Sequence, residues 1–519
     1  MQQVLDGGPS PDTIQRRLDE LAAEMERFNA EAMEEAYLND AGLKEELELT
    51  PIYRRYAHLF ARPTVDEVRR LSDEAERLPD VSSHLELRRR ARLLLEFVTS
   101  GYLGQAVKEL VDELGTEEAK GTVEVDGAAV PFRNLAVRIA NEPDRSRRQR
   151  LQSAREAFTA RLNPLRERIA ATQAGLAVEL GYPSYADMYR ALKGIDYDTL
   201  GRTMEAFLAR TEAPYVETVE PLLRERAGVG FAEARRHDLA WVLRASQFDG
   251  WFPADRLLVA LEATLSGLGI EMANQRNVRL DAEPRPAKSP RAFCAAVRVP
   301  QDIRLVIMPH GGQDDYHALF HEAGHTQHFA HTRADLPAEY RYLGDNSVTE
   351  SFAFLLEYLV TDPVWLERRL GISPASAAQY VAFSRADRLY FLRRYAGKLR
   401  YELELHRSAS VRDAAPRYRE ILTGATHVYY DEVDYLSDVD PAFYVAEYLR
   451  AWALEVMLRE TLRRRFGRLW FEERRAGDFL RELWAQGQRE SGDELARSLG
   501  WAQVDFEPLV CELTEPASP

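Results

Sequence analysis

Cysteine is nearly absent: Cys294 and Cys511 are the only two in 519 residues. Two are too few for a disulfide framework or a cysteine zinc cluster, and nothing demands an oxidising compartment. No uninterrupted apolar run reaches 18 residues, and the start, MQQVLDGGPSPDTIQ, has no apolar core of a signal peptide. Neither a membrane span nor a secretory leader is therefore expected. Basic charge is also short. The 68 Lys and Arg against 84 Asp and Glu leave a net charge of −16, which repels nucleic acid and anionic membrane surfaces. The arginine-dense stretches at 88–90, 145–150 and 463–465 are interspersed with Leu, Glu or Gln at helical spacing and read as solvated helix faces. A G-x-S-x-G elbow is missing, and Gly228-Val229-Gly230 lacks the third glycine of a dinucleotide fingerprint. These absences together point to a cytoplasmic protein with neither nucleic acid nor membrane as partner, and they leave the oligomeric state unknown.

What is present is helix. The chain is 45% hydrophobic and 29% charged, a globular balance, and its length exceeds one compact core. Most of it reads with a 3.6-residue period, as in PDTIQRRLDELAAEMERFNAEAMEEAYL and, from Asn163, NPLRERIAATQAGLAVEL. Two stretches differ. Residues 122–136 alternate about Asp126-Gly127, a hairpin signal. Residues 278–308 hold VRLDAE, AFCAAVRV and DIRLVIM between breaks, which fits three short strands. The expected division is a mainly helical N-terminal lobe over 1–270, hairpin included, and a catalytic region over 271–519.

Histidine is scarce, 11 in all, yet His310, His317, His321, His325, His328 and His331 fall within 22 residues. Inside this cluster lies His321-Glu322-Ala323-Gly324-His325, with Asp314 or Asp315 as the expected helix N-cap. Residues four apart on a helix lie about 40° apart, so both imidazoles can converge on one ion. Neutral imidazole suits zinc, and a catalytic zinc takes three protein ligands. Glu322 points about 100° round from His321, so it can reach the water on the metal without ligating and act as general base and acid.

Three positions compete for the third ligand. His331 has the right offset for a third histidine, but that arrangement needs glycine where His328 stands. A glutamate 19 or 20 residues after His325 would fall on Gly344 or Asp345, of which only the aspartate can ligate. Glu350, 25 residues on, opens the helical stretch SVTESFAFLLEYLV and is favoured. Its competing role is a capping box with Ser347, in which Glu350 would only accept from the Ser347 backbone N–H.

His321-Glu-Ala-Gly-His325-Thr-Gln-His328, then Glu350 and a second acid at Glu357, resembles the thimet oligopeptidase and oligoendopeptidase F family of zinc peptidases. Members carry H-E-x-G-H-x-x-H, a glutamate ligand at this spacing and another acid seven residues later. VRVPQDIRLVIMPHGGQDDY is similar to the strand pair before the family's active-site helix, and the match covers about 293–360, with a weaker one near 441–452. The resemblance implies a mainly α, two-lobed helical zinc-peptidase fold with a deep substrate channel and a small β-sheet next to the active-site helix. It implies one catalytic Zn2+ and cleavage of short peptides. It further implies tyrosine oxyanion donors, Tyr448 first and Tyr444 second, within DVDPAFYVAEYLRAW, where Asp440 reads as a cap and Pro441 as the first turn. The family's preceding histidine would fall here on Asp438 or Val439. Should neither tyrosine donate, His427, Tyr429 and Tyr430 come next. A strand near Arg304 to Ile307 is expected to pair with the peptide backbone. His317 and His328 share the ligands' helix face and, with Glu357, are expected to support the ligands or touch substrate. A zinc carboxypeptidase of the same helical fold is the near alternative. A helical scaffold with a vestigial metal site is the distant one, against which Glu322 speaks, since a structural zinc has no use for a base.

Overall fold

The computed structural model describes residues 10–408 and 410–515. The signal-peptide reading of the first residues, and residues 1–9 of the expected N-terminal lobe, lie outside that range. The described chain is mainly helical, with 21 α-helices and five short strands. Among the described residues no helix is long and apolar enough to cross a membrane.

The chain divides into two compact units, each made of three segments: 1–105, 252–371 and 454–504 form one, 106–251, 372–453 and 505–519 the other. The expected cut at 270/271 falls inside the first unit. Long helices prevent a cut by sequence alone: Ser82–Lys120 has its first part in one unit and its last part in the other.

The first unit holds the histidine-rich segment. Its opening helix, Pro11–Asp40, starts where Ser10 accepts from Thr13 N–H and Pro11 occupies the first turn, and it buries Ile14, Leu18, Leu21, Met25 and Phe28 on one face. The three strands expected over 278–308 form as β3 (Val278–Asp281), β4 (Phe293–Arg298) and β5 (Asp302–Val306). Their order is β3-β5-β4, with β3 parallel and β4 antiparallel to β5. This order overturns one expectation. β5 is the buried central strand with both edges paired, so the 304–307 segment has no edge to offer a peptide.

The second unit carries the expected hairpin, β1 (Thr122–Val125) and β2 (Ala128–Pro131), turned at Asp126 and Gly127, both with positive φ. It packs with Leu135, Ile139 and Leu151. The helix expected from Asn163 is the second half of a longer one, Arg145–Glu179, which runs through Pro164. A further core gathers Tyr401, Leu405, Tyr418, Leu422 and Tyr430.

The arginine runs are solvated faces only in part: Arg147, Arg150, Arg464 and Arg465 are exposed, but one member of each run turns to a distant acid. Arg90 is buried and bonds Glu339 and Asp19, Arg148 is buried against Asp238, and Arg463 bonds Asp362. An acidic chain supplies these partners from distant segments, and a desolvated guanidinium requires one.

Candidate metal centre

Two helices of the first unit build the site: the histidine helix, Gln313–His331, and the glutamate helix, Asn346–Leu359. The histidine helix does not start at an aspartate cap. Gly312, at φ 91°, is the cap residue, and Asp315 turns back to accept from the His310 and Gly311 N–H groups at 2.6 and 2.8 Å. The two helices touch backbone to backbone at Gly324, where a Cβ would lie 2.5 Å from Ala353 Cα and 2.5 Å from Phe352 O. Glycine within the H-E-x-G-H run is what lets His321, His325 and Glu350 meet.

The glutamate helix also starts differently from the capping-box alternative. Asp345 is its N-cap, accepting from Ser347 N–H at 2.9 Å and from Gly492 N–H at 2.8 Å. Glu350 therefore lies a full turn inside the helix, beyond reach of a capping role. Its buried carboxylate lies 3.4 Å from His321 Nε2 and 3.6 Å from His325 Nε2. One donor atom from each of the three falls within 4.8 Å of the others, and among the described residues this is the one group of three or more His, Cys, Asp or Glu so arranged. Asp345 is occupied as a cap, and His331 turns away, its Nδ1 2.9 Å from Gln327 O and its ring against Trp484.

The outer contacts of the histidines have the pattern of a zinc site. His321 Nδ1 donates to Glu357 Oε2 at 2.8 Å, and the other oxygen of Glu357 lies 3.2 Å from His317 Nδ1. Burial raises the Glu357 carboxyl, but the two histidines outweigh it and hold it down to about 2. Burial lowers His321, yet Glu350 and Glu357 together push it up to about 10, so this position holds positive charge at neutral pH. His325 is held down to about 4 by burial, hence neutral and able to ligate. His325 Nδ1 meets Thr349 Oγ1 at 3.0 Å, and the fully buried His328 contacts the same hydroxyl at 3.2 Å. Two imidazoles and a carboxylate are a donor set suited to zinc, and the charge demand at His321 is one a cation would meet.

Glu322 stands beside this group without joining it. Its Oε2 accepts from Cys294 N–H of β4 at 2.9 Å, which fixes its direction. Burial, with Glu350 and Glu357 nearby, raises its pKa, while His321 and the Cys294 N–H oppose the rise. A carboxyl raised this way holds a proton more readily than an ordinary one, as a general base and acid must.

Tyr444 and Tyr448 belong to the second unit, on the helix Tyr444–Phe466. Their rings pack 5.4 Å apart, and Tyr448 also stacks on Tyr395 and meets Trp452 edge-on. Asp440 does not cap this helix by its side chain; its carboxylate pairs with Lys398 at 2.7 Å. Asp438, where the family's histidine would fall, is half-buried between Arg394 and Tyr418. His427 pairs with Glu212 at 2.6 Å, and Tyr430 shares a hydrogen bond with Tyr390.

Sequence reasoning missed Thr349 and Cys294 as parts of the site. Thr349 had one available signal, its place directly before Glu350; a backbone N–H such as that of Cys294 leaves none. No family model matches the chain, and comparison with curated proteins found no match.

Proposed function

We propose that this protein is a zinc metallopeptidase that hydrolyses short oligopeptides, with His321, His325 and Glu350 holding one Zn2+ and Glu322 as general base and acid. The observation that carries the proposal is the convergence of those three donors beside a carboxylate that does not ligate. A zinc ion held there would supply Lewis acidity, which eases the loss of a proton from water near neutral pH. Glu322, with its pKa raised, accepts that proton and delivers it to the leaving amine. Cys294 N–H steadies the Glu322 carboxylate throughout, and Glu357 keeps the His321 Nδ1 proton in place so that Nε2 faces Glu350.

We assign the oxyanion to Tyr448, with Tyr444 second, on the resemblance to the oligopeptidase family; the same resemblance supports the two-lobed fold, the deep channel and the preference for short chains. Peptide backbone pairing passes from β5 to β4, the strand of the sheet whose outer edge turns a backbone N–H toward Glu322. A cytoplasmic location fits the two free cysteines. A mixed pool of peptides about a dozen residues long, incubated with zinc-loaded, chelated and zinc-restored protein and mapped by mass spectrometry, tests the proposal. Cleavage that disappears with the metal and returns with it supports the assignment; cleavage indifferent to zinc, or none at all, refutes it.

A further inference from the structure

Behind His325 runs a chain of hydrogen bonds that leaves the metal side of the site. His325 Nδ1 lies 3.0 Å from Thr349 Oγ1, the same hydroxyl lies 3.2 Å from His328 Nδ1, and His328 Nε2 lies 3.1 Å from the Gly487 carbonyl oxygen. Its far part is shielded: His328 has no exposed surface and Thr349 is 5% exposed. The Gly487 end comes from 159 residues along the chain.

Proton counting along this chain has one solution. A carbonyl oxygen only accepts, so His328 Nε2 carries a proton. Among the described residues no carboxylate pairs with the ring, which lies between Phe329 and Phe352, and burial holds His328 down to about 3, so it is neutral. A neutral imidazole has one proton, which leaves His328 Nδ1 as an acceptor. The Thr349 hydroxyl must donate to it. Having spent its only proton, that oxygen accepts from His325 Nδ1–H. Neutral His325 then bears its lone pair on Nε2, the atom 3.6 Å from Glu350 Oε1.

We propose that Thr349 and His328, anchored on the Gly487 carbonyl, are positioning residues that fix the tautomer of His325 so that its Nε2 presents a lone pair to the metal. This rests on His325 being a zinc ligand, as assigned above. The arrangement differs from that at His321, where a carboxylate performs the same service directly. An oriented relay of neutral groups sets the tautomer at His325 without adding a negative charge beside Glu350. Thr349 precedes Glu350, so one helical turn delivers both a ligand and the switch point of the relay.

The test is zinc affinity, measured by chelator competition on the full chain with Zn2+ alone. Thr349→Val keeps shape and removes the hydroxyl, and should weaken zinc about 10- to 100-fold; Thr349→Ser restores the hydroxyl and should return affinity to within about threefold of the unaltered protein. Equal affinity in Thr349→Val, or equal loss in both variants, overturns the relay. A second measurement needs no variant: in protein labelled with 15N-histidine, His328 should show the Nε2–H tautomer at neutral pH, and the Nδ1–H tautomer would overturn the proposal. If the unaltered protein binds no zinc at all, it is the metal site itself that fails, while the His328 tautomer still tests the hydrogen-bond order.

Discussion

Replacing Gly324 by alanine adds one methyl group at the point where the histidine and glutamate helices meet. The new Cβ would sit 2.5 Å from both Ala353 Cα and Phe352 O, and 2.9 Å from Ala353 N. Carbon atoms rest about 3.5–4.0 Å apart, so the helices must separate locally by about 1 Å. These neighbours are backbone and cannot rotate away. Overpacking of this kind costs toward the upper end of about 1–3 kcal/mol, while alanine regains about 1 kcal/mol of helix propensity, which leaves a net loss of about 2 kcal/mol. Function should suffer more than stability. Zinc sites tolerate ligand errors of about 0.2 Å, and the same displacement carries His321 and His325 away from Glu350, so zinc affinity should fall at least tenfold. Thermal unfolding and chelator competition read the two effects separately. Gly175→Ala is the control: it lies in an exposed helical position with nothing within 4 Å of an added Cβ, and should be neutral or stabilising with zinc binding unchanged. A Gly324→Ala protein with normal melting and normal zinc affinity would refute the claim that this contact sets the site.

Three further outcomes follow from the same geometry. Glu350→Ala should lower zinc occupancy by two orders of magnitude or more with little change in melting temperature, since Asp345 and not Glu350 caps the helix; full occupancy by metal analysis would return the third-ligand role to another residue. Zinc binding to the metal-free protein at pH 7 should release about one proton, because His321, pushed up to about 10, is protonated there and His325, held down to about 4, is not. Apparent affinity therefore rises with pH, about tenfold per unit between about pH 4 and 10, and calorimetry in buffers of different ionisation enthalpy that finds no release would contradict this. Tyr448→Phe should lower kcat about 10²-fold or more with KM and melting temperature nearly unchanged, because the ring packing on Tyr395 and Trp452 is retained while the hydroxyl assigned to the oxyanion is removed. Normal turnover in both Tyr448→Phe and Tyr444→Phe would move the search to His427, Tyr429 and Tyr430.

Local spacing carried the legible part of this protein. The H-E-x-x-H run places His321 and His325 on one face because the helix period requires it, and Asp126-Gly127 turns the hairpin because both positions adopt positive φ. What depended on distant chain was not legible. Asp315 looks like an N-cap until the His310-Gly311-Gly312 turn is seen to claim its carboxylate. β5 reads as an available strand until the non-sequential order β3-β5-β4 closes both its edges. Arg90 reads as solvated until Glu339, 249 residues away, is found against it. Glu350 could be a cap or a metal ligand on spacing alone, and only the place of Asp345 at the helix start removes the cap.

The central claim, that Glu322 performs proton transfer beside a metal it does not bind, is tested most directly by Glu322→Gln. With zinc content matched to the unaltered protein, cleavage of a peptide it cuts should fall by about 10²- to 10⁴-fold, since the substitution removes the base and leaves His321, His325 and Glu350 intact. A Glu322→Gln protein that holds its zinc and cuts the peptide at the normal rate would contradict the account.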